Sequence, residues 1–207
     1  MLKILGKAAS INVRKVLWTC EEIGVPFERE DWGAGFRSTG EASFVQLNPN
    51  AMVPVILDDD FVLWESNAIC RYLSARHGRD DLLPAEPKAR ALVEQWMDWQ
   101  LADLNNSWRY AFMSLVKNSP AHQDPADLAA GVANWNKHIG ILERHLAQGR
   151  AFVAGDSFTL ADVVLGLSVN RWLMTPITRP DAPAVAAYYE RLSKRPGFLE
   201  YGRNGLP

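Results

Sequence analysis

Apolar and polar residues follow two different periods in the first 78 residues of the chain, and the two periods alternate. Runs in which every second residue is apolar favour strands, whereas apolar residues three and four positions apart favour helices. In chain order the pattern predicts strand 2–6, helix 11–24, strand 27–31, helix 41–47, strands 55–57 and 61–64, and helix 66–77. The run Asp58-Asp59-Asp60 between the last two strands is typical of a hairpin turn. The predicted order is therefore β-α-β-α-β-β-α.

Helical periodicity dominates the remainder of the chain. Residues 79–87 are rich in charge and proline, which predicts a linker. Beyond the linker the pattern predicts helices at 88–117, at about 124–148, from Thr159 onward and at about 182–194. The fold class that follows is an α+β, thioredoxin-like N-terminal domain of residues 1–78 and an all-α C-terminal domain of residues 88–207.

The segment from Phe158 to Val163 contains the signals of a helix start. Thr159 and Asp162 have the spacing of a capping box, in which each side chain binds a free backbone N–H of the first turn. Phe158 and Val163 stand where two apolar side chains pack together across such a start. We expect these residues to begin a buried helix and to have no role in catalysis.

Composition excludes several classes of protein. A hydrophobic share of 48% with 22% charged residues is ordinary for a globular chain, and a net charge of −2 does not indicate binding to nucleic acid. No apolar run approaches the roughly 18 residues that a membrane span needs. The first six residues read as a strand and not as a signal peptide, and Cys20 and Cys70 lie far apart within predicted helices. We therefore expect a cytoplasmic protein with reduced thiols.

No metal site is expected. His138 and His145 lie two turns apart on one predicted helix, but no cysteine or carboxylate accompanies them at the spacing of metal ligands. A pair of surface or core histidines is the simpler interpretation.

Two dipeptides carry the chemistry. Val53-Pro54 precedes a strand, and a residue before proline is held extended, so that the Val53 N–H and carbonyl are left for an added peptide strand. Glu65-Ser66 opens a helix, whose free N–H groups attract a carboxylate while Glu65 attracts an ammonium. Together these features suit a small peptide that ends in an α-amino acid, and glutathione is such a peptide.

This combination resembles the cytosolic glutathione S-transferase family, and the resemblance extends over nearly the whole chain. It includes Ser10 before the first helix and the run from Asp156 to Asp162, whereas either dipeptide alone would be weak evidence. The start Ser10-Ile-Asn12-Val-Arg14 is most similar to bacterial members near the theta and nu classes. The resemblance implies a homodimer with glutathione as co-substrate, and attack of its thiolate on an electrophilic apolar or halogenated small molecule.

Two residues are candidates for stabilising the thiolate. The theta-like pattern assigns this role to Ser10, and the nu-like pattern assigns it to Asn12. We favour Ser10, although a serine before a helix is also a common N-cap. Arg14, one turn later, is left open as a helper of the thiolate, a partner of a glutathione carboxylate or a solvated side chain.

The remaining candidates divide between the two substrates. The resemblance assigns glutathione binding to a set of six residues: Met52, Val53, Pro54, Glu65, Ser66 and Arg37. Within this set Arg37 lies in a glycine-rich loop that would hold the glycyl end, and we expect the Val53–Pro54 peptide bond to be cis. Candidates for the electrophile site are Trp108, Phe112 and Trp172.

Two other functions stay open at this point. The same fold can serve a glutathione-binding or regulatory protein without catalysis, because fold does not fix function. A glutathione-dependent peroxidase is the other alternative. The lack of a cysteine near Ser10 argues against thiol–disulfide chemistry.

Overall fold

A computed structural model describes residues 1–207, and its N-terminal part is built on a sheet of four strands. The strands are β1 (Leu2–Leu5), β2 (Phe27–Glu30), β3 (Val55–Asp58) and β4 (Phe61–Trp64). Their order in the sheet is β2-β1-β3-β4, with β1 parallel to β2 and the other two pairs antiparallel. In register, Ile4 of β1 lies between Arg29 of β2 and Ile56 of β3.

Three helices complete this part of the chain: α1 (Ile11–Ile23), α2 (Ala42–Val45) and α3 (Ser66–Arg76). α1 ends at Gly24, whose φ of 77° lies in the left-handed region that glycine adopts without a steric penalty. The predicted order β-α-β-α-β-β-α is confirmed.

No helix or strand lies between Arg76 and Pro87, the region of the predicted linker. The helices that follow are α4 (Pro87–Trp99), α5 (Asn105–Leu115), α6 (Pro125–Leu146), α7 (Leu160–Met174), α8 (Pro183–Leu192) and α9 (Pro196–Tyr201). The predicted fold class, a thioredoxin-like domain followed by an all-α domain, is confirmed. None of these helices combines the length and the hydropathy needed to cross a membrane.

Two details of the helical part differ from the sequence prediction. The last predicted helix ends at about 194, but a further helix, α9, follows it, and Pro196 stands at its first position, where proline is favoured. The single helix predicted at 88–117 is wrong in its middle, where Gln100–Leu104 form a π-helical turn between α4 and α5. Such turns are frequent at functional sites.

α1 joins the two parts of the molecule, since it packs against α3 on one side and against α7 and α9 on the other. Its Trp18 is completely buried, with ring centroids 5.7 Å from Phe158 and 5.0 Å from Phe198. The capping box is confirmed, and the buried Asp162 carboxylate accepts the Thr159 N–H at 2.8 Å. The core is thus shared between the domains, which fixes the helices around the candidate site.

Candidate functional site

The N-terminus of α1 is open for a ligand. Ser10 occupies the N-cap position with extended backbone, yet its hydroxyl makes no hydrogen bond to the helix. The first helical bond of the backbone runs from Arg14 N–H to the Ser10 carbonyl, so the N–H groups of Ile11, Asn12 and Val13 have no partner. The positive end of the helix dipole and a free hydroxyl therefore meet at one place.

The backbone before β3 is also unpaired. The Val53–Pro54 peptide bond is cis, as predicted. Neither the N–H nor the carbonyl of Val53 takes part in a hydrogen bond within the chain. The preceding loop is held by the buried Asn48, whose Nδ2 donates to the Met52 carbonyl at 2.7 Å and whose Oδ1 accepts the Asn50 N–H at 3.0 Å. The unpaired Val53 backbone is therefore available to an incoming peptide.

The N-terminus of α3 supplies a third open group. Glu65 is its N-cap residue, with a φ of 73° that is strained for a side chain larger than glycine. The Glu65 carboxylate is exposed, does not cap the helix and has no ion pair within the chain. Ser66 beside it is buried, and its hydroxyl is likewise without a hydrogen bond.

One cavity of about 250 Å³ brings most of these groups together. Six of its lining residues were predicted from the sequence: Asn12, Met52, Val53, Pro54, Glu65 and Ser66. Two were not predicted, namely Asn48 and Asn50, although they flank Pro49 in the turn directly before the Val-Pro pair. The cavity therefore offers an anion-binding helix end, a carboxylate and free backbone groups to a single ligand.

Two of the residues predicted to contact glutathione or its thiolate lie outside this lining. Ser10 is not among the residues that border the cavity, although it directly precedes the helix that carries Asn12. The Arg37 guanidinium lies 4.1 Å from the Trp32 ring centroid and pairs with Glu30 and Glu41. Its Nε and Nη1 are thus engaged within the protein, whereas Nη2 has no partner in the chain.

Arg14 is fully buried, so its interpretation as a solvated side chain is wrong. Its guanidinium donates to the side chain of Asn204 and to three backbone carbonyls, those of Tyr201, Leu206 and Pro207. Burial lowers its pKa to about 10. Arg14 therefore holds the last residues of the chain against α1.

The neighbouring Lys15 connects the two domains. It is completely buried, and its Nζ donates to Asn67 Oδ1 at 3.2 Å and to Gln100 Oε1 at 2.9 Å. The Gln100 amide in turn donates to Asn105 and Ser168. No carboxylate pairs directly with the ammonium, and burial lowers the pKa of Lys15 to about 8. Sequence reasoning did not single out Lys15, since a lysine on a helix is ordinarily exposed and only the folded chain shows that it is buried.

The three residues predicted for the electrophile site lie at two different places in the structure. Trp108 and Phe112 of α5 pack edge to face with ring centroids 5.3 Å apart, and Trp108 Nε1 donates to Asn105 Oδ1. Trp172 of α7 borders a different cavity, of about 510 Å³, together with residues of α8. Trp108 and Phe112 thus adjoin the hydrogen-bond network of Lys15, and Trp172 does not.

No group of three or more His, Cys, Asp and Glu side chains is arranged to hold a metal ion. The polar side chains that border the cavity are those of three asparagines, Glu65 and Ser66.

Comparisons with known proteins agree with this geometry. The family model "Glutathione S-transferase, N-terminal domain" matches residues 9–76, and "Glutathione S-transferase, C-terminal domain" matches residues 125–191. Glutathione S-transferase GstB from Escherichia coli strain K12 is 35% identical over 198 residues, which cover 95% of each protein. Glutathione S-transferase 3 from Zea mays is 32% identical and covers 95% of this chain and 91% of its own length.

A solved structure is also similar over the whole chain. The theta class glutathione S-transferase from Xanthomonas axonopodis pv. citri, with glutathione bound, matches with a TM-score of 0.92 at 35% identity, covering 100% of this chain and 99% of that one. The chain therefore belongs to the glutathione S-transferase family. Membership confirms the predicted transferase with glutathione as co-substrate, and the alternatives of a regulatory protein or a peroxidase are not favoured.

The buried ammonium of Lys15 predicts a specific pH dependence of stability. The unfolded chain keeps this proton up to the ordinary pKa of 10.5, whereas the folded chain releases it from about 8. Between these values the unfolded state binds more protons, so the free energy of unfolding rises with pH, by at most about 1.4 kcal/mol per pH unit. Between pH 7.5 and pH 9.5 the free energy of unfolding, measured by urea titration, should increase by more in the wild type than in Lys15→Met, because only the contribution of Lys15 is removed and that of Arg171, whose pKa burial lowers to about 9, remains.

The exposed Lys137 on α6 supplies the control, because Lys137→Met should keep the wild-type pH dependence. Equal pH dependence in Lys15→Met and the wild type would contradict a lowered pKa of Lys15.

Proposed function

We propose that glutathione binds in the cavity between the N-termini of α1 and α3, and that the observation carrying this assignment is the unpaired backbone of Val53. Val53 borders the cavity with its N–H and carbonyl free, which suits antiparallel pairing with the cysteinyl residue of glutathione. The carboxylate of the γ-glutamyl end suits the free N–H groups at Ser66, and its ammonium suits the Glu65 carboxylate. The thiol then lies towards the start of α1.

The reaction follows from the position of the thiol. A free thiol has a pKa near 8.5, so that only a few per cent of it is thiolate at neutral pH. Hydrogen-bond donors and the positive end of α1 stabilise the thiolate. Its sulfur attacks an electrophilic carbon, a C–S bond forms, and a leaving group such as halide departs with the electron pair of the broken bond.

The structure supports both candidates for the main donor. The Ser10 hydroxyl is unused by the helix, which weakens its interpretation as a mere N-cap. Asn12 borders the cavity, and its amide makes no hydrogen bond within the chain. We assign the main hydrogen bond to Ser10 and a supporting one to Asn12.

We further propose that the electrophile packs against the partly exposed Trp108, which the buried Phe112 ring supports edge to face and which lies next to the interdomain network. Arg37 stays a candidate for the glycyl end, since its Nη2 is free while Nε and Nη1 pair with Glu41 and Glu30. The reducing cytoplasm suits the two buried free thiols of the chain and is the compartment that we propose.

The assignment of the thiolate donor is tested by two substitutions. Ser10→Ala should still bind glutathione but should lower kcat by about a hundredfold, because one donor to the developing charge is lost. The pH at which the rate rises should move upward, since less thiolate is stabilised at neutral pH. Asn12→Ala should give a smaller change in the same direction, and the exposed Ser157→Ala serves as a matched control.

Rates should be measured with glutathione saturating and 1-chloro-2,4-dinitrobenzene as the electrophile. A large effect of Asn12→Ala with no effect of Ser10→Ala would exchange the two roles. Unchanged rates and pH profiles in both variants would contradict the assignment altogether.

We propose a homodimer in which the first domain of one copy meets the helical domain of the other. Both domains expose apolar side chains that such an interface would cover: Phe61 and Val62 on β4 of the first, and Leu92 and Leu101 on the second, each between 38% and 51% exposed. Exposed apolar surface of this kind marks interaction sites.

Sedimentation equilibrium at micromolar concentration should therefore give twice the chain mass of 23.2 kDa. Phe61→Asp should shift the equilibrium towards the monomer, because it places a charge in the apolar contact. Leu199→Asp, at an exposed position on α9, should leave the dimer intact. A wild-type chain that sediments as a monomer would contradict the proposal.

A further inference from the structure

Two cationic side chains beside the aromatic pair of α5 have no partner. The Arg171 guanidinium lies with its Cζ 4.4 Å from the Trp108 ring centroid and 4.1 Å from that of Phe112. Lys117 Nζ lies 5.5 Å from the Phe112 ring centroid. Neither side chain makes a salt bridge or a hydrogen bond within the chain, and Arg171 Nε is buried without a partner.

The state of Arg171 is unusual for a buried arginine. Only 5% of its surface is exposed, and a guanidinium has five N–H donors that normally find acceptors when buried. Stacking on two aromatic rings offsets part of the cost of desolvation but satisfies none of these donors.

Two other arginines of the chain show how a buried or stacked guanidinium ordinarily finds acceptors. Arg14 is also buried and its Nε likewise lacks a partner, but its two terminal nitrogens donate to Asn204 and to three carbonyls, whereas those of Arg171 have no acceptor within the chain. Arg195 lies over the Phe158 ring at 3.8 Å and pairs with the Glu22 carboxylate at 2.5 Å. Packing on an aromatic ring is therefore not by itself a reason for an arginine to lack acceptors.

The surroundings of Arg171 and Lys117 are positive. Burial and the nearby Arg14 lower the pKa of Arg171 to about 9. Burial, followed by the charges of Lys7 and Arg171, lowers the pKa of Lys117. No carboxylate contributes to either shift. An anion placed here would satisfy free donors and relieve repulsion at the same time.

We propose that Arg171 and Lys117 form an anion subsite beside Trp108 and Phe112, and that the electrophile which this transferase conjugates carries a carboxylate group on an aromatic or apolar body. The inference rests on the proposed packing of the electrophile against the two rings. The planar fork of the guanidinium matches a carboxylate in two parallel hydrogen bonds, and the partly exposed Trp108 ring offers an apolar contact to the body of the same molecule.

The test compares two glutathione conjugates that differ only in this charge: S-(4-carboxybenzyl)glutathione and S-(4-carbamoylbenzyl)glutathione. Calorimetric titration of the wild type should show the carboxylate conjugate binding at least about tenfold more tightly, as expected for a charged hydrogen bond. Arg171→Met keeps an apolar stem against the rings and should abolish this preference, leaving the affinity for the carbamoyl conjugate nearly unchanged. Arg171→Lys keeps a positive charge and should retain part of the preference for the carboxylate conjugate.

Lys117→Met, at an exposed position, gives a second test that does not depend on the folding of the Arg171 variant, and should reduce the preference several-fold. Lys137→Met on α6 should leave it unchanged. Equal binding of the two conjugates by the wild type would overturn the anion subsite while leaving the glutathione site intact. Failure of both conjugates and of glutathione itself to bind would overturn the proposed function, and the anion subsite with it.

Discussion

The arrangement of the two domains depends on the buried ammonium of Lys15. A charged group without a carboxylate partner is stable in the interior only when polar atoms satisfy it, because an uncompensated buried charge costs several kcal/mol. Lys15 obtains two side-chain oxygens, one from Asn67 on α3 and one from Gln100 in the second domain. Gln100 begins the π-helical turn, so the irregular stretch of the long helix lies where the acceptor is needed. Three helices are thereby fixed relative to one another.

The candidate site inherits its geometry from this contact. Asn67 follows Ser66, and fixing it fixes the N-terminus of α3 against the N-terminus of α1. The cavity lies where both helices begin, with Val53 on its border. Gln100 continues the network through Asn105 to Trp108, so the residues proposed for the electrophile are linked to the glutathione side by hydrogen bonds. In the proposed reaction each domain thus supplies one side of the site.

The sequence predicted those features that depend on interactions between residues close together in the chain. Hydrophobic periods gave the order of strands and helices, and the rules for residues around proline and at helix starts identified Val53, Glu65 and Ser66. The π-helical turn could not be predicted, because its first residue, Gln100, accepts a hydrogen bond from Lys15, which lies 85 residues earlier in the chain. Arg171 was missed for a related reason: it lies in a helix that is buried on all sides, and only the folded chain shows that its donors are free.

The central claim is that Glu65 holds the ammonium of glutathione, and a two-by-two titration tests it most directly. Calorimetry would compare glutathione with glutaryl-cysteinyl-glycine, which lacks the α-amino group, on the wild type and on Glu65→Gln. The account predicts that Glu65→Gln weakens glutathione by about tenfold and barely affects the analogue, since only the ammonium contact is removed. Equal weakening of both ligands would show that Glu65 acts through the fold of α3, and would contradict the account.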